Sequence, residues 1–181
     1  MNEQIAVVYT KALFDASLDA DSLDQSVEEL RFFKKTLDEN PKLKVIFENP
    51  NIEKAEKKEI IVAILKGASQ NVINFLKILI DNQRFVNFDG IYHEYIKKFN
   101  DRNNISTGKV YSQRPLDEAA IKRIEETLSK KFARKVELEN VIDESLIGGF
   151  TIQLDGKFID NSIKGRLEDL KSSLKERRGE L

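Results

Sequence analysis

Through the first hundred residues the apolar positions recur three and four apart, the period of helices that bury one face. In residues 2–18, Ile5, Val8, Tyr9, Ala12 and Ala16 share a face, with Leu13 and Ala6 at its edge, while Val7, Phe14 and Leu18 fall on roughly the opposite side. A helix apolar on two sides is expected to be covered on both, either as the central helix of a bundle or with a partner on one side. The small Ala12 and Ala16 would let another helix come close. Ser22 can cap a second helix expected over residues 23–39, striped by Val27, Leu30, Phe33 and Leu37 and ended by Asn40-Pro41. A short helix over 42–47 stops at Asn49-Pro50, and one over 53–66, carrying Ile60, Ile61, Ile64 and Leu65, stops at Gly67. Residues 69–81 turn Val72, Phe75, Leu76 and Leu79 inward and leave Ile78 off the stripe, beside Asn71, Asn74 and Asn82. Residues 85–99 carry Phe88, Ile91, Tyr92 and Tyr95. Six helices on short connections predict an all-α bundle.

After the polar stretch Asp101-Arg102-Asn103-Asn104 the period changes. The domain boundary is placed there, with a helical bundle over 1–104 and a small α/β domain ending in a charged tail over 105–181. A strand centres on Lys109-Val110-Tyr111. Pro115 suits the first turn of a helix running to Phe132, with Leu116, Ala120, Ile121, Ile124 and Leu128 on its core face. Val136 and Leu138 then alternate with Glu137 and Glu139, and Phe150, Ile152 and Leu154 with Thr151 and Gln153, the period of half-buried strands. Asp155-Gly156 is the pair that a tight type I′ hairpin asks for, and residues 157–159 read as the return strand. Gly148-Gly149 lets the backbone bend at the entry to this hairpin. Asp160, Asn161 and Ser162 are N-cap types ahead of a closing helix with Ile163, Leu167, Leu170 and Leu174 at helical spacing. The order β-α-β-β-β-α predicts a mixed sheet with two helices packed on it, so the whole chain is α+β.

Composition removes most chemistry. Thirty basic against 31 acidic residues give a net charge of −1, which argues against a general nucleic-acid binder. With no cysteine and one histidine, thiolate and histidine-rich metal sites are excluded, and His93 is read as structural or solvent-facing. No phosphate-binding glycine loop or G-x-S-x-G elbow occurs, and Asp143-Glu144 and Asp160 are read as loop and cap residues. No cofactor is expected. The basic run Lys130-Lys131 and Arg134-Lys135 reads as a solvated helix end. The longest apolar run, residues 60–65, is far short of the ~20 a membrane span needs. The first residues, Met1-Asn2-Glu3-Gln4, lack the basic region of a signal peptide or a transit-like leader, so the expected setting is cytosolic. What is left over is apolar supply: Val7, Phe14 and Ile78 exceed what one face of each helix needs, and such positions more often serve protein partners than substrates.

Three strings carry a family resemblance. Ile147-Gly148-Gly149 through Asp155-Gly156 and Asp160-x-Ser162 to Gly165-Arg166-Leu167 is similar to the signature block of the delta subunit of F-type ATP synthases, called the oligomycin-sensitivity-conferring protein in mitochondria. Tyr9-Thr10-Lys11-Ala12-Leu13-Phe14-Asp15-Ala16 resembles that family's Y-A-x-A-L-F-x-x-A helix, with Thr10 where alanine is usual. Asn74-Phe75-Leu76 with Leu79 and then Asn82-Gln83-Arg84-Phe85 resembles its N-F-L-x-x-L…N-x-R segment, with Gln83 where glycine is frequent. Together they span nearly the whole chain in the family's order, and they point to a bacterial member.

The resemblance implies a non-catalytic stator subunit. It would sit at the top of the peripheral stalk, peripheral to the cytoplasmic face of the cell membrane, one copy per complex. There it would join the catalytic head, through the amino-terminal helix of an alpha subunit, to the b subunits, and resist the torque of the rotor. Carried over, the groove for the alpha helix would be lined by Tyr9, Ala12, Ala16, Asn74 and Ile78. Gly148, Gly149, Asp155, Gly156, Asp160, Ser162 and Gly165 would be structural signature positions. Two other classes stay open at this point: a helix-binding adaptor of another complex, and an RNA-associated protein using the basic run around Lys131 and Lys135.

Overall fold

Chain breakers set the helix ends in the first half of the protein. The computed structural model describes residues 2–167, and contacts divide the chain into two units, Met1–Phe99 and Asn100–Leu181. The first unit holds α1 (Asn2–Asp19), α2 (Leu23–Glu39), α3 (Pro41–Glu48), α4 (Lys54–Ile64), α5 (Gln70–Asp81) and most of α6 (Phe88–Arg102), which is preceded by a 3-10 turn at Phe85–Asn87. Pro41 occupies the first turn of α3, where its missing N–H costs nothing. Gly67 takes φ +90° just past α4, the left-handed conformation that ends many helices.

The stripes of α2 and α5 are buried at the positions their spacing predicts: Val27, Leu30, Phe33 and Leu37, and Val72, Phe75, Leu76 and Leu79. Phe33, Phe47, Phe85 and Phe88 meet with ring centroids 4.6 to 6.3 Å apart, so α2, α3 and the start of α6 share one aromatic cluster.

Helix α1 turns a different face inward from the one its apolar count suggests. Ala6, Thr10, Leu13, Phe14 and Ser17 are buried. Phe14, which the sequence places among the surplus apolar positions, is a core residue at 3 % exposure, edge-on to Tyr95. The inward hydroxyls find partners inside. Thr10 Oγ1 donates to the Ile91 carbonyl (3.2 Å), Ser17 Oγ to Ser26 Oγ (3.0 Å), and Tyr95 OH to Ser17 Oγ (3.1 Å). A polar side chain that is satisfied internally is no marker of the solvent side. Val7 and Ile78 do remain exposed, at 53 % and 47 %.

Asp89 on α6 ties three helices together. It pairs with Lys44 of α3 (2.5 Å) and Lys34 of α2 (3.4 Å), and Lys34 also bonds Asp38. Partial burial pushes the Asp89 carboxyl up, but the Lys44 hydrogen bond and the charges of Lys34 and Lys44 outweigh it and hold it below the usual 3.8. A depressed carboxylate stabilises the fold above its unfolded-state pKa, and that contribution is lost as pH falls through the folded-state value. Asp89→Asn is therefore expected to lower stability at pH 7 and to narrow its difference from wild type below about pH 4. Because Asp89 is more than a third exposed, the effect is held to under about 1 kcal/mol. Urea midpoints of the two proteins at pH 7 and pH 3 check this.

The second unit is built on a four-stranded sheet in the order β2-β1-β3-β4. Strand β1 (Ile105–Ser112) leads through α7 (Glu118–Phe132) to β2 (Lys135–Ile142), which lies parallel to it. Strands β3 (Gly149–Leu154) and β4 (Lys157–Ser162) form a hairpin whose first arm is antiparallel to β1. Val110, Leu128, Val136, Ile152 and Leu154 make the core between α7 and the sheet, surrounded by Leu116, Ile124, Phe132, Leu138, Phe150 and Ile159. Helix α7 starts later than Pro115 suggests, because Asp117 is the better cap: its Oδ1 accepts the Ala120 N–H (2.6 Å), leaving Pro115 in the loop. Residues 163–167 are helical. The expected continuation of that helix through Leu170 and Leu174, and the charged tail, lie outside the described residues.

Candidate partner-binding site

Helices α1 and α5 run antiparallel, side by side, and are stitched at both ends of their contact. Asn82 Nδ2 donates to Tyr9 OH (3.0 Å), and Asn71 Nδ2 donates to the Ala16 carbonyl (3.3 Å). Between these bonds the Tyr9 and Phe75 rings meet edge to face, with centroids 6.5 Å apart. With Ala6, Thr10, Leu13, Phe14 and Ser17 turned into the bundle, helical geometry forces Ile5, Val8, Ala12 and Ala16 outward. Val8 is 65 % exposed, Ala12 and Ala16 are exposed, and Ile5 and Tyr9 are half-buried. On α5 the same logic leaves Asn74 and Ile78 exposed opposite the buried Val72, Phe75, Leu76 and Leu79.

Two packed helices leave a furrow between their cylinders, which large side chains would fill. Here the α1 wall carries only methyl groups at Ala12 and Ala16, both exposed, which leaves little side-chain bulk to fill such a furrow. The five residues singled out by resemblance, Tyr9, Ala12, Ala16, Asn74 and Ile78, thus sit on two adjoining helix faces. Sequence reasoning left Val8 out of the site and gave Asn71 and Asn82 no task. Their helical positions were the available signal, since each falls on the same outward arc as a residue already named. On the other flank of α1, Ala6, Val7, Val86 and Gly90 border a separate cleft of about 460 Å³.

The signature glycines and acids cluster in the sheet unit. Asp155 (φ 48°) and Gly156 (φ 76°) form the left-handed pair of the β3–β4 turn. Ser106 Oγ donates to Asp155 Oδ2 (2.7 Å), tying that turn to β1. Gly149 has φ +80°, and a Cβ there would stand 2.5 Å from the Asn161 carbonyl oxygen. A Cβ on Gly148 would meet the Ile163 side chain, and one on Gly165 the Asp160 carboxyl. All three N-cap types lie in β4, and Ser162, its last residue, is the one that caps: its Oγ accepts the Gly165 N–H (3.0 Å). Asp160 Oδ1 accepts the Ser162 N–H (2.8 Å), and that bond, with the Ser162 hydroxyl, holds the Asp160 carboxyl below the usual carboxylate range. These residues build a hairpin-to-helix junction.

Among the described residues no group of His, Cys, Asp and Glu is arranged to hold a metal ion, and no helix is long and apolar enough to cross a membrane. His93 is exposed.

Comparison with known proteins bears on the chain as a whole. The family model described as ATP synthase delta (OSCP) subunit matches residues 5–174. The chain is 39% identical over 171 residues to the ATP synthase subunit delta of Acetivibrio thermocellus, covering 93% of this chain and 96% of that protein. It is 34% identical over 177 residues to the subunit delta of Clostridioides difficile, covering 95% and 96%. In fold it is similar to a chain in the cryo-EM structure of the Toxoplasma gondii mitochondrial ATP synthase hexamer, with a TM-score of 0.72 at 14% identity, covering 96% of this chain and 97% of that one.

Proposed function

This chain belongs to the ATP synthase delta (OSCP) subunit family, a non-catalytic part of the F-type complex and its peripheral stalk, and we propose that it works there as a clamp between the catalytic head and the membrane sector. In this reading the α1/α5 furrow receives the amino-terminal helix of an alpha subunit, and the sheet unit faces the b subunits. The protein is held at the cytoplasmic face of the cell membrane through the complex. The observation that carries the reading is the outward face of α1: Val8, Ala12 and Ala16 are apolar and exposed, and the adjoining helix α5 exposes Ile78.

A preformed apolar furrow suits a clamp. An amphipathic helix laid into it buries its anchors without reordering the receptor, so little of the contact energy is lost to conformational entropy. The amides of Asn71, Asn74 and Asn82 along one wall supply directional partners beside the apolar floor. Titration of the full chain with a synthetic peptide of the alpha subunit's first ~20 residues, long enough for a five-turn helix, tests the reading. One-to-one binding with a negative heat-capacity change is expected, the mark of apolar burial. A folded protein that gives no binding heat at several temperatures overturns it.

A further inference from the structure

We infer that Glu29 and Lys54 are positioning residues for the furrow: neither reaches it, yet together they fix where α5 stands along its own axis. The inference rests on the helix-docking reading above. Ser69, just ahead of α5, is a residue type that ordinarily caps its own helix, but here its side chain makes no such bond. Instead both its donors go to one carboxylate on α2. The Ser69 N–H donates to Glu29 Oε1 (2.7 Å) and the Ser69 hydroxyl to Glu29 Oε2 (2.5 Å). At the opposite end the Lys54 ammonium of α4 donates to the Asp81 carbonyl (2.8 Å), and Lys58 pairs with the Asp81 carboxylate (2.6 Å).

Each clamp matches the helix dipole, an anion at the positive amino end and cations at the negative carboxyl end. Helix α5 carries no acidic residue in its first turn and no basic residue in its last, so neither of these charges comes from α5's own end turns. Its buried stripe of Val72, Phe75, Leu76 and Leu79 is held by non-directional contacts, whereas the end clamps, like the bonds from Asn71 and Asn82 to α1, are directional hydrogen bonds. An axial slip by one residue is about 1.5 Å. That slip would carry Asn74 and Ile78 past Ala12 and Ala16 and spoil the fit of any docked helix.

The test uses the full chain, the alpha-subunit peptide and four variants. Glu29→Ala is expected to weaken peptide binding about tenfold, the size of a lost helix cap. Lys54→Met should weaken it by a smaller factor. Glu29→Gln, which keeps an acceptor for the Ser69 N–H, should recover most of the loss. Asp89→Asn, which breaks ion pairs that join α6 to α2 and α3, should lower the melting temperature and leave affinity unchanged. If Asp89→Asn weakens binding as much as Glu29→Ala does, the effect is one of general stability and the proposal falls. It also falls if Glu29→Ala binds as tightly as wild type. An arm without peptide separates this proposal from the docking reading: Glu29→Ala should shift the amide resonances of Asn74 and Ile78 in the free protein. Unshifted resonances overturn the positioning role even if the wild-type chain fails to bind the peptide.

Discussion

Ala12→Asp is expected to weaken binding of the alpha-subunit helix by about 3 kcal/mol, the scale of a buried charge left without a partner, or about two orders of magnitude in Kd. Ala12 is exposed in the free protein, so the new carboxylate is hydrated there and the bundle folds normally. The penalty arises only on docking, when the partner's apolar face displaces that water. Ala63→Asp is the matching control. Ala63 is also exposed and helical, but on α4, so the same substitution there should leave the Kd within a factor of about two. Calorimetric titration of both variants decides the matter. An Ala12→Asp protein that is folded and binds like wild type removes the furrow from the docking model.

The second large effect falls on the sheet unit. Gly149→Val is expected to cost about 3–4 kcal/mol of that unit's stability, from a left-handed backbone that a β-branched residue resists and from overlap that must be relieved. The overlap cannot be relieved by a rotamer change. The nearest atoms to the added Cβ are the Asn161 carbonyl oxygen at 2.5 Å and the Ser162 Cα at 2.8 Å, both backbone of the paired strand. Gly156→Ala separates the two terms. Its φ is +76°, but nothing lies within 4 Å of the added Cβ, so only the conformational cost of about 1 kcal/mol remains. Urea unfolding of the three proteins, followed by a probe in the sheet, measures the difference. A Gly149→Val sheet as stable as wild type would mean that the glycine is not there for space.

Much of this architecture is written in period and punctuation. Where one apolar face meets one core, as on α2 and α5, spacing names the buried stripe, though it passed over Ile73 and Ile80, which are buried beside it on α5. Prolines and Gly67 mark the helix ends, and Asp155-Gly156 marks the hairpin. The errors have physical causes. On α1 an apolar count cannot separate a face that waits for a partner from one that faces the core, and Thr10 and Ser17 look like surface residues until their internal acceptors are known. Pro115 lost to Asp117 because a side-chain cap outweighs a favourable φ. For the candidate site, the furrow walls followed from helical position once the core side of α1 was fixed. Glu29 and Lys54 were illegible, since their partners, the N–H and hydroxyl of Ser69 and the Asp81 carbonyl, lie 40 and 27 residues away.

The place of β1 in the sheet bears on how the protein carries force. The strand follows directly on α6, and it is hydrogen-bonded to β2 along its full length and to β3 over its second half. Ladder bonds lie across the strand direction. Tension applied along β1 would therefore load it in shear and strain many cross-strand bonds at once. An edge strand pulled sideways would instead give them up singly, like a zipper. For the proposed clamp, an interior strand is the mechanically stiff place to attach the rest of the chain.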